Sequence, residues 1–207
     1  MYMNPVVASP AYCLVYGINF LMNLAWIFLW DGELIVVSSY VLWGIAITNI
    51  ISITLLIRNI ECENHQLKQE RPKVYWTYIV LAFNGQGLYV TWTVIASLIN
   101  FTTALHYMDG VNMQTSVYVN LSMLLVIAVG YAVAEMVFLD KFTRFLVTPY
   151  LVAIWALAGI LSKKYPDSDV SDSTKTFLIS LMAIAILLLF IKICVLTFRQ
   201  IKRPFNR

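Results

Sequence analysis

Gly85-Gln86-Gly87-Leu88-Tyr89-Val90-Thr91-Trp92-Thr93-Val94-Ile95-Ala96-Ser97-Leu98-Ile99-Asn100 lies inside a long apolar run, residues 75–105. As one helix that run is about 46 Å long at 1.5 Å per residue, more than a bilayer core needs. It must tilt, kink or protrude, and Gly85 and Gly87 are the predicted kink sites. Gly85, Tyr89, Trp92, Ala96 and Asn100 share one helical face. An amide inside a bilayer is costly unless it meets protein, ligand or water, so this face is expected to point inward. It reads either as part of a ligand site or as a helix-packing seam, with Gly and Ala allowing close approach.

The rest of the chain fits the same class. Of 207 residues, 60% are hydrophobic and 12% charged, about half the charge of a soluble domain. Apolar residues come in blocks near 20, the length that spans a membrane. The predicted fold is an all-α, polytopic transmembrane helix bundle forming one membrane domain. Its six spans are residues 11–30, 34–57, 75–105, 115–138, 145–161 and 176–196. Ser9 and Pro10 are suited to N-cap and N1 of the first. No basic segment precedes that span, so it is not read as a cleavable signal. The cysteines Cys13, Cys62 and Cys194 are odd in number and far apart, which suggests neither disulfides nor a metal site.

Lys and Arg set the orientation. Residues 58–73, 139–144 and 199–207 hold ten of the 14, whereas the opposite side holds Lys163, Lys164 and Lys175. The positive-inside rule places both termini in the cytoplasm. The polar loop 162–175, with Pro-Asp-Ser-Asp at its centre, falls on the other side. Asn100 and Asn120 begin glycosylation sequons, but both lie in predicted spans and are expected to stay unmodified.

A second stripe, Tyr16, Asn19, Asn23, Trp26 and Trp30, runs along the first span. Trp30 beside Asp31 fits an interfacial belt. Asn23 and Trp26 lie deeper, at the predicted depth of Trp92, Ala96 and Asn100. Two aromatic-and-amide stripes at one depth fit a mainly apolar small-molecule pocket.

The string Tyr16-x-x-Asn19-x-x-x-Asn23-x-Ala25-Trp26 resembles the third helix of the tryptophan-rich sensory protein/translocator protein family. Tyr89-x-x-Trp92-x-x-x-Ala96-x-x-x-Asn100 resembles that family's fifth helix. The two strings come in family order with one span between them, and cover roughly residues 14–105. By this resemblance the chain is a divergent eukaryotic branch shortened at its N-terminus, without the first two family helices, and residues 115–196 are an added three-helix segment. The family's early acidic residue in its fourth helix is absent from Tyr40-Val41-Leu42-Trp43. Its sterol-recognition pattern fails after Tyr107, which Met-Asp-Gly-Val-Asn follows.

The resemblance implies an intramembrane site for a flat hydrophobic ligand, a tetrapyrrole, sterol or related lipid. Asn23, Trp26, Tyr89, Trp92, Ala96 and Asn100 would line it. The alternative is a structural or non-binding membrane subunit in which the same residues are packing seams. Glu135 and Lys192 lie within spans at similar predicted depth. They read either as an intramembrane ion pair or as side chains snorkelling to the interface. A retinal-type use of Lys192 fits less well so near the membrane edge. No catalytic grouping, metal set, nucleotide motif or nucleic-acid signature occurs, so no enzyme and no cofactor is expected. The expected partners are the bilayer and a hydrophobic small molecule.

Overall fold

The computed structural model describes residues 7–164 and 171–202. Among these there is no strand. The long helices are α1 (Pro10–Asp31), α2 (Ile35–Cys62), α5 (Asn84–Asp109), α6 (Met113–Val137) and α9 (Asp172–Lys202). The shorter ones are α3 (Asn64–Glu70), α4 (Pro72–Thr77), α7 (Asp140–Thr143) and α8 (Thr148–Lys164). Residues Tyr78–Phe83 form a π-helical segment that joins α4 to α5. The turn 166–169 and the last five residues of the basic tail lie outside the described residues.

Five helical stretches are long and apolar enough to cross a membrane: Pro10–Asp31, Ile35–Cys62, Pro72–Tyr107, Met113–Val137 and Asp172–Lys202. The remaining expected span, the fifth in chain order (145–161), is shorter than the rest. It starts at Thr148 and has 17 residues, about 26 Å of helix, at the lower edge of spanning length. Pro149, at the second helical position, suits a start there.

Local chemistry sets the ends. Ser9 Oγ accepts the Tyr12 N–H at 3.3 Å, with Pro10 opening α1. Asn59 near the end of α2 donates to Val7 O and Ser9 Oγ, which ties that start to α2. Gly110 ends α5 with φ +59°, a left-handed cap that glycine adopts without strain.

In the bundle α2 stands between α1 and α5, and packs on both. Beyond α5 a ring closes: α5 packs on α6 and α8, and both of these pack on α9. Leu121, Leu157, Leu178, Leu181 and Ala185 fill part of the ring. Ile53, Leu56, Ile60, Tyr75, Ile79, Phe83 and Leu146 form the core at the end nearer α3 and α7. Leu14, Phe20, Leu21, Leu24 and Phe28 of α1 are exposed. In water such a face would be an aggregation hazard, but in a bilayer it is the lipid contact.

The long third run departs from its expectation. Its distortion is the π-segment just before the predicted glycine kinks. Asn84 explains how this irregular backbone survives. Its Nδ2 donates to Ile79 O at 2.9 Å and to Phe145 O at 3.0 Å. Its Oδ1 accepts from the N–H groups of Val147 at 3.1 Å and Thr148 at 3.4 Å. Thr148 Oγ1 returns a bond to Asn84 O at 2.8 Å. One amide thus satisfies the π-segment and the non-helical start of α8, where bilayer offers no water. Gly87 lets the α8 approach in: a Cβ there would lie 2.5 Å from Leu146 Cδ1 and 2.8 Å from Thr148 Oγ1. Gly85 has open space around it.

Asn84→Leu strands several backbone groups, each costing about 1–3 kcal/mol. It is expected to lower the thermal unfolding temperature in detergent clearly, whereas Gly85→Ala, with nothing to clash against, leaves it nearly unchanged.

Candidate functional site

The polar residues of α2 and α5 meet along a continuous seam. Asn49 Nδ2 donates to Thr93 Oγ1 at 3.2 Å, and Gln86 Nε2 donates to Asn49 Oδ1 at 3.4 Å. Ser97 Oγ donates to Leu42 O at 3.1 Å. Asn100 Nδ2 reaches Ser38 Oγ at 3.4 Å. All of these side chains are buried. Thr93 and Ser97 also donate to carbonyls of their own preceding turn, Tyr89 O and Thr93 O. Small hydroxyls on this face keep α2 and α5 close, as packing in membranes favours.

Among the described residues the backbones of α1 and α5 do not touch; each rests on α2. Side chains bridge the cleft between them. Tyr12 OH donates to Gln86 Oε1 at 2.8 Å. Tyr89 OH donates to Asn19 Oδ1 at 3.0 Å and accepts from Asn23 Nδ2 at 2.9 Å. Asn19 Nδ2 reaches down to Ile45 O at 2.8 Å and Thr48 Oγ1 at 2.7 Å on α2. The Tyr16 ring meets the Tyr89 ring edge-on at 6.4 Å. One turn beyond Asn23, the Trp26 indole nitrogen is buried with no hydrogen-bond partner. The floor is tight: a Cβ on Gly44 of α2 would lie 2.4 Å from Met22 Cε of α1.

The expected site residues therefore separate. Asn23 and Tyr89 come together in the cleft, with Trp26 on the same face of α1. Asn100 belongs to the α2–α5 seam, where its Oδ1 has no partner. Trp92 does not point inward. It is 40% exposed and packs on Trp155 of α8 at 5.5 Å between ring centroids. Ala96 is half-buried and Gly85 exposed. The inward face of α5 is Gln86, Thr93, Ser97 and Asn100, offset from the expected stripe because the small polar groups, not the indole, face α2. Sequence reading missed Gln86, Thr93 and Ser97, although polar residues spaced seven and four apart are a seam signal.

A second polar cluster lies where α6, α7, α8 and α9 converge. Lys192 Nζ donates to the Glu135 carboxylate and, at 3.2 Å, to Thr143 O. Tyr150 OH donates to Glu135 Oε2 at 2.6 Å, and Thr143 Oγ1 donates to Oε1 at 3.1 Å. Both charged side chains are fully buried, so neither snorkels. Tyr131, one turn before Glu135, has its ring 5.9 Å from that of Tyr150 and tilted 51° to it, and keeps a buried hydroxyl without a partner among the described residues. Toward the surface, Asp140 accepts from Arg144 at 3.1 Å and Arg199 at 2.8 Å. On the loop helix α3, burial lowers the Lys68 ammonium pKa; Glu61 opposes this and Arg144 adds to it. Among the described residues no His, Cys, Asp and Glu group is arranged to hold a metal ion.

A family model described as TSPO-like protein matches residues 4–196. The matched region runs from the start of α1 through α6, α8 and most of α9, and so includes both polar clusters. No curated protein and no solved structure matches the chain.

Removing one member of a buried pair strands the other, at about 3–5 kcal/mol. Glu135→Gln and Lys192→Met are each expected to lower thermal stability in detergent, and the double variant to recover part of the loss. A double-mutant cycle checks this, and strict additivity would show that the two groups act independently.

Proposed function

The chain belongs to the TSPO-like protein family, and from that membership and the α1–α5 cleft we propose that it binds a flat hydrophobic molecule within the membrane. The ligand class is a tetrapyrrole, a sterol or a related lipid, held without catalysis. One observation carries the reading. The Trp26 indole N–H is buried in a membrane-spanning helix with no partner, beside the cleft that Asn23 and Tyr89 bridge. An unpaired donor in hydrocarbon costs several kcal/mol. An acceptor on a ligand would relieve it.

Tyr16, Asn19, Asn23, Trp26 and Tyr89 form the aromatic and amide wall. Ala96 lies further along α5, and Trp92 packs on Trp155 of α8, outside this wall. The competing reading, a structural subunit, draws on the direct Asn23–Tyr89 bond, which closes the wall on itself. Ligand entry then requires Tyr89 to exchange that bond for one to the ligand.

Both termini are assigned to the cytoplasm, from the excess of Lys and Arg in residues 58–73, 139–144 and 199–207.

Two measurements check these assignments. Titrating the purified protein with a hydrophobic tetrapyrrole should give saturable quenching of tryptophan fluorescence. Asn23→Leu should raise Kd about five-fold, the loss of one hydrogen bond near 1 kcal/mol. Linear quenching, or equal curves for wild type and an Asn23→Leu/Trp26→Phe double variant, would leave the packing reading in place. For topology, Gln69→Cys on a background with Cys13, Cys62 and Cys194 replaced by Ser should react with an impermeant maleimide only after permeabilisation. Labelling of intact cells would reverse the orientation.

A further inference from the structure

We propose that the start of the third span carries a site for an anionic phospholipid, separate from the α1–α5 cleft. Pro72, Lys73, Trp76, Thr77, Val80 and Leu81 line an open groove of about 570 Å³. That volume is within the rough 300–1,000 Å³ range of small-molecule sites. Its lower part is the π-segment, which turns Val80 and Leu81 outward together, 59% and 68% exposed. Its upper part is Trp76, whose ring stands edge-on against Phe145 at 5.2 Å. Trp at such a level is the usual interfacial residue.

The charge at the mouth identifies the occupant. Several basic groups at this end of the bundle are already engaged. Lys141 pairs with Glu61 at 2.5 Å, and Arg144 and Arg199 share Asp140. Lys68 lies over the Tyr75 ring at 5.4 Å. Lys73 forms none of the ion pairs among the described residues and is exposed. Arg71, two residues earlier, is exposed and equally unpaired there. Lys73 lining an apolar groove, with Arg71 two residues before it, matches a phosphate above an acyl chain. A zwitterionic headgroup neutralises only part of this charge, so the preference is for an anionic lipid. Assigning that lipid to the cytoplasmic leaflet rests on the topology proposed above; the binding itself does not.

Full-length protein in phosphatidylcholine nanodiscs, with the same composition in both leaflets, tests the site independently of orientation. Brominated phosphatidylserine or brominated phosphatidylcholine is added at equal mole fraction, and contact quenching of tryptophan is measured. The expected result is an excess of quenching by the serine lipid. That excess should vanish in Trp76→Phe, which removes the reporter. Each of Arg71→Gln and Lys73→Gln should reduce local enrichment about five-fold. Lys202→Gln, a basic residue far along the chain on α9, should leave the excess intact. Equal quenching by the two lipids would overturn the proposal and return the groove to bulk lipid or to a protein partner. A Lys202→Gln effect as large as that of Lys73→Gln would also overturn it, since the attraction would then be diffuse.

Discussion

Hydrocarbon offers no hydrogen bonds, and α2 carries buried amides and hydroxyls through it. Ser38, Asn49 and Ser52 are buried on that helix, and each must find a protein partner. Asn49 finds two on α5, Thr93 and Gln86. Gln86 passes the connection on to Tyr12 of α1. Asn19 of α1 returns to the α2 backbone at Ile45. The placement of α1 and α5 against α2 follows from these bonds. With the central helix holding both neighbours by side chains, α1 and α5 stay apart, and the cleft between them is the geometric consequence.

The same constraint explains the other half of the bundle. There the irregular backbone before α8 needs partners, and Asn84 supplies them. The charges need partners too. Holding Glu135 alone near the membrane centre would cost about 2.5–3.5 kcal/mol, less near the edge. Lys192, Tyr150 and Thr143 surround it from three other elements. Such a cluster is weak evidence for net stability, because desolvation offsets much of the attraction. What it does fix is register: α6, α7, α8 and α9 must align for the donors to meet one carboxylate. The two polar systems therefore hold α1 and α5 to α2 in one half of the bundle and close the helix ring in the other.

Much of this was legible in the sequence for a simple reason. Membrane thickness sets helix length, so runs such as 34–57 and 115–138 reveal their helices directly. The Ser9 cap and the amide stripe of α1 were also readable, since Asn in a span has few alternatives to pairing. Two features were not. The α2-facing side of α5 was hidden because Trp92 dominates by size, while Thr93 and Ser97 can satisfy themselves on their own backbone and look neutral. Only the position of α2 shows that they face a neighbour. The π-segment was hidden because it depends on Asn84 reaching residues 145–148, a contact more than 60 positions away.

The placement of α1 and α5 around α2 rests on the polar seam. The most direct test compares two buried amides. Asn49 is bonded on both sides, whereas Asn120 of α6 is buried with neither amide atom partnered. Replacing each by Leu and measuring thermal unfolding in the same detergent separates pairing from mere burial. Asn49→Leu leaves the buried Gln86 amide nitrogen without its acceptor and should cost about 1–3 kcal/mol. Asn120→Leu removes an unsatisfied amide and should be neutral or stabilising. Equal losses at the two positions would contradict the claim that paired polar side chains on α2 hold this bundle together.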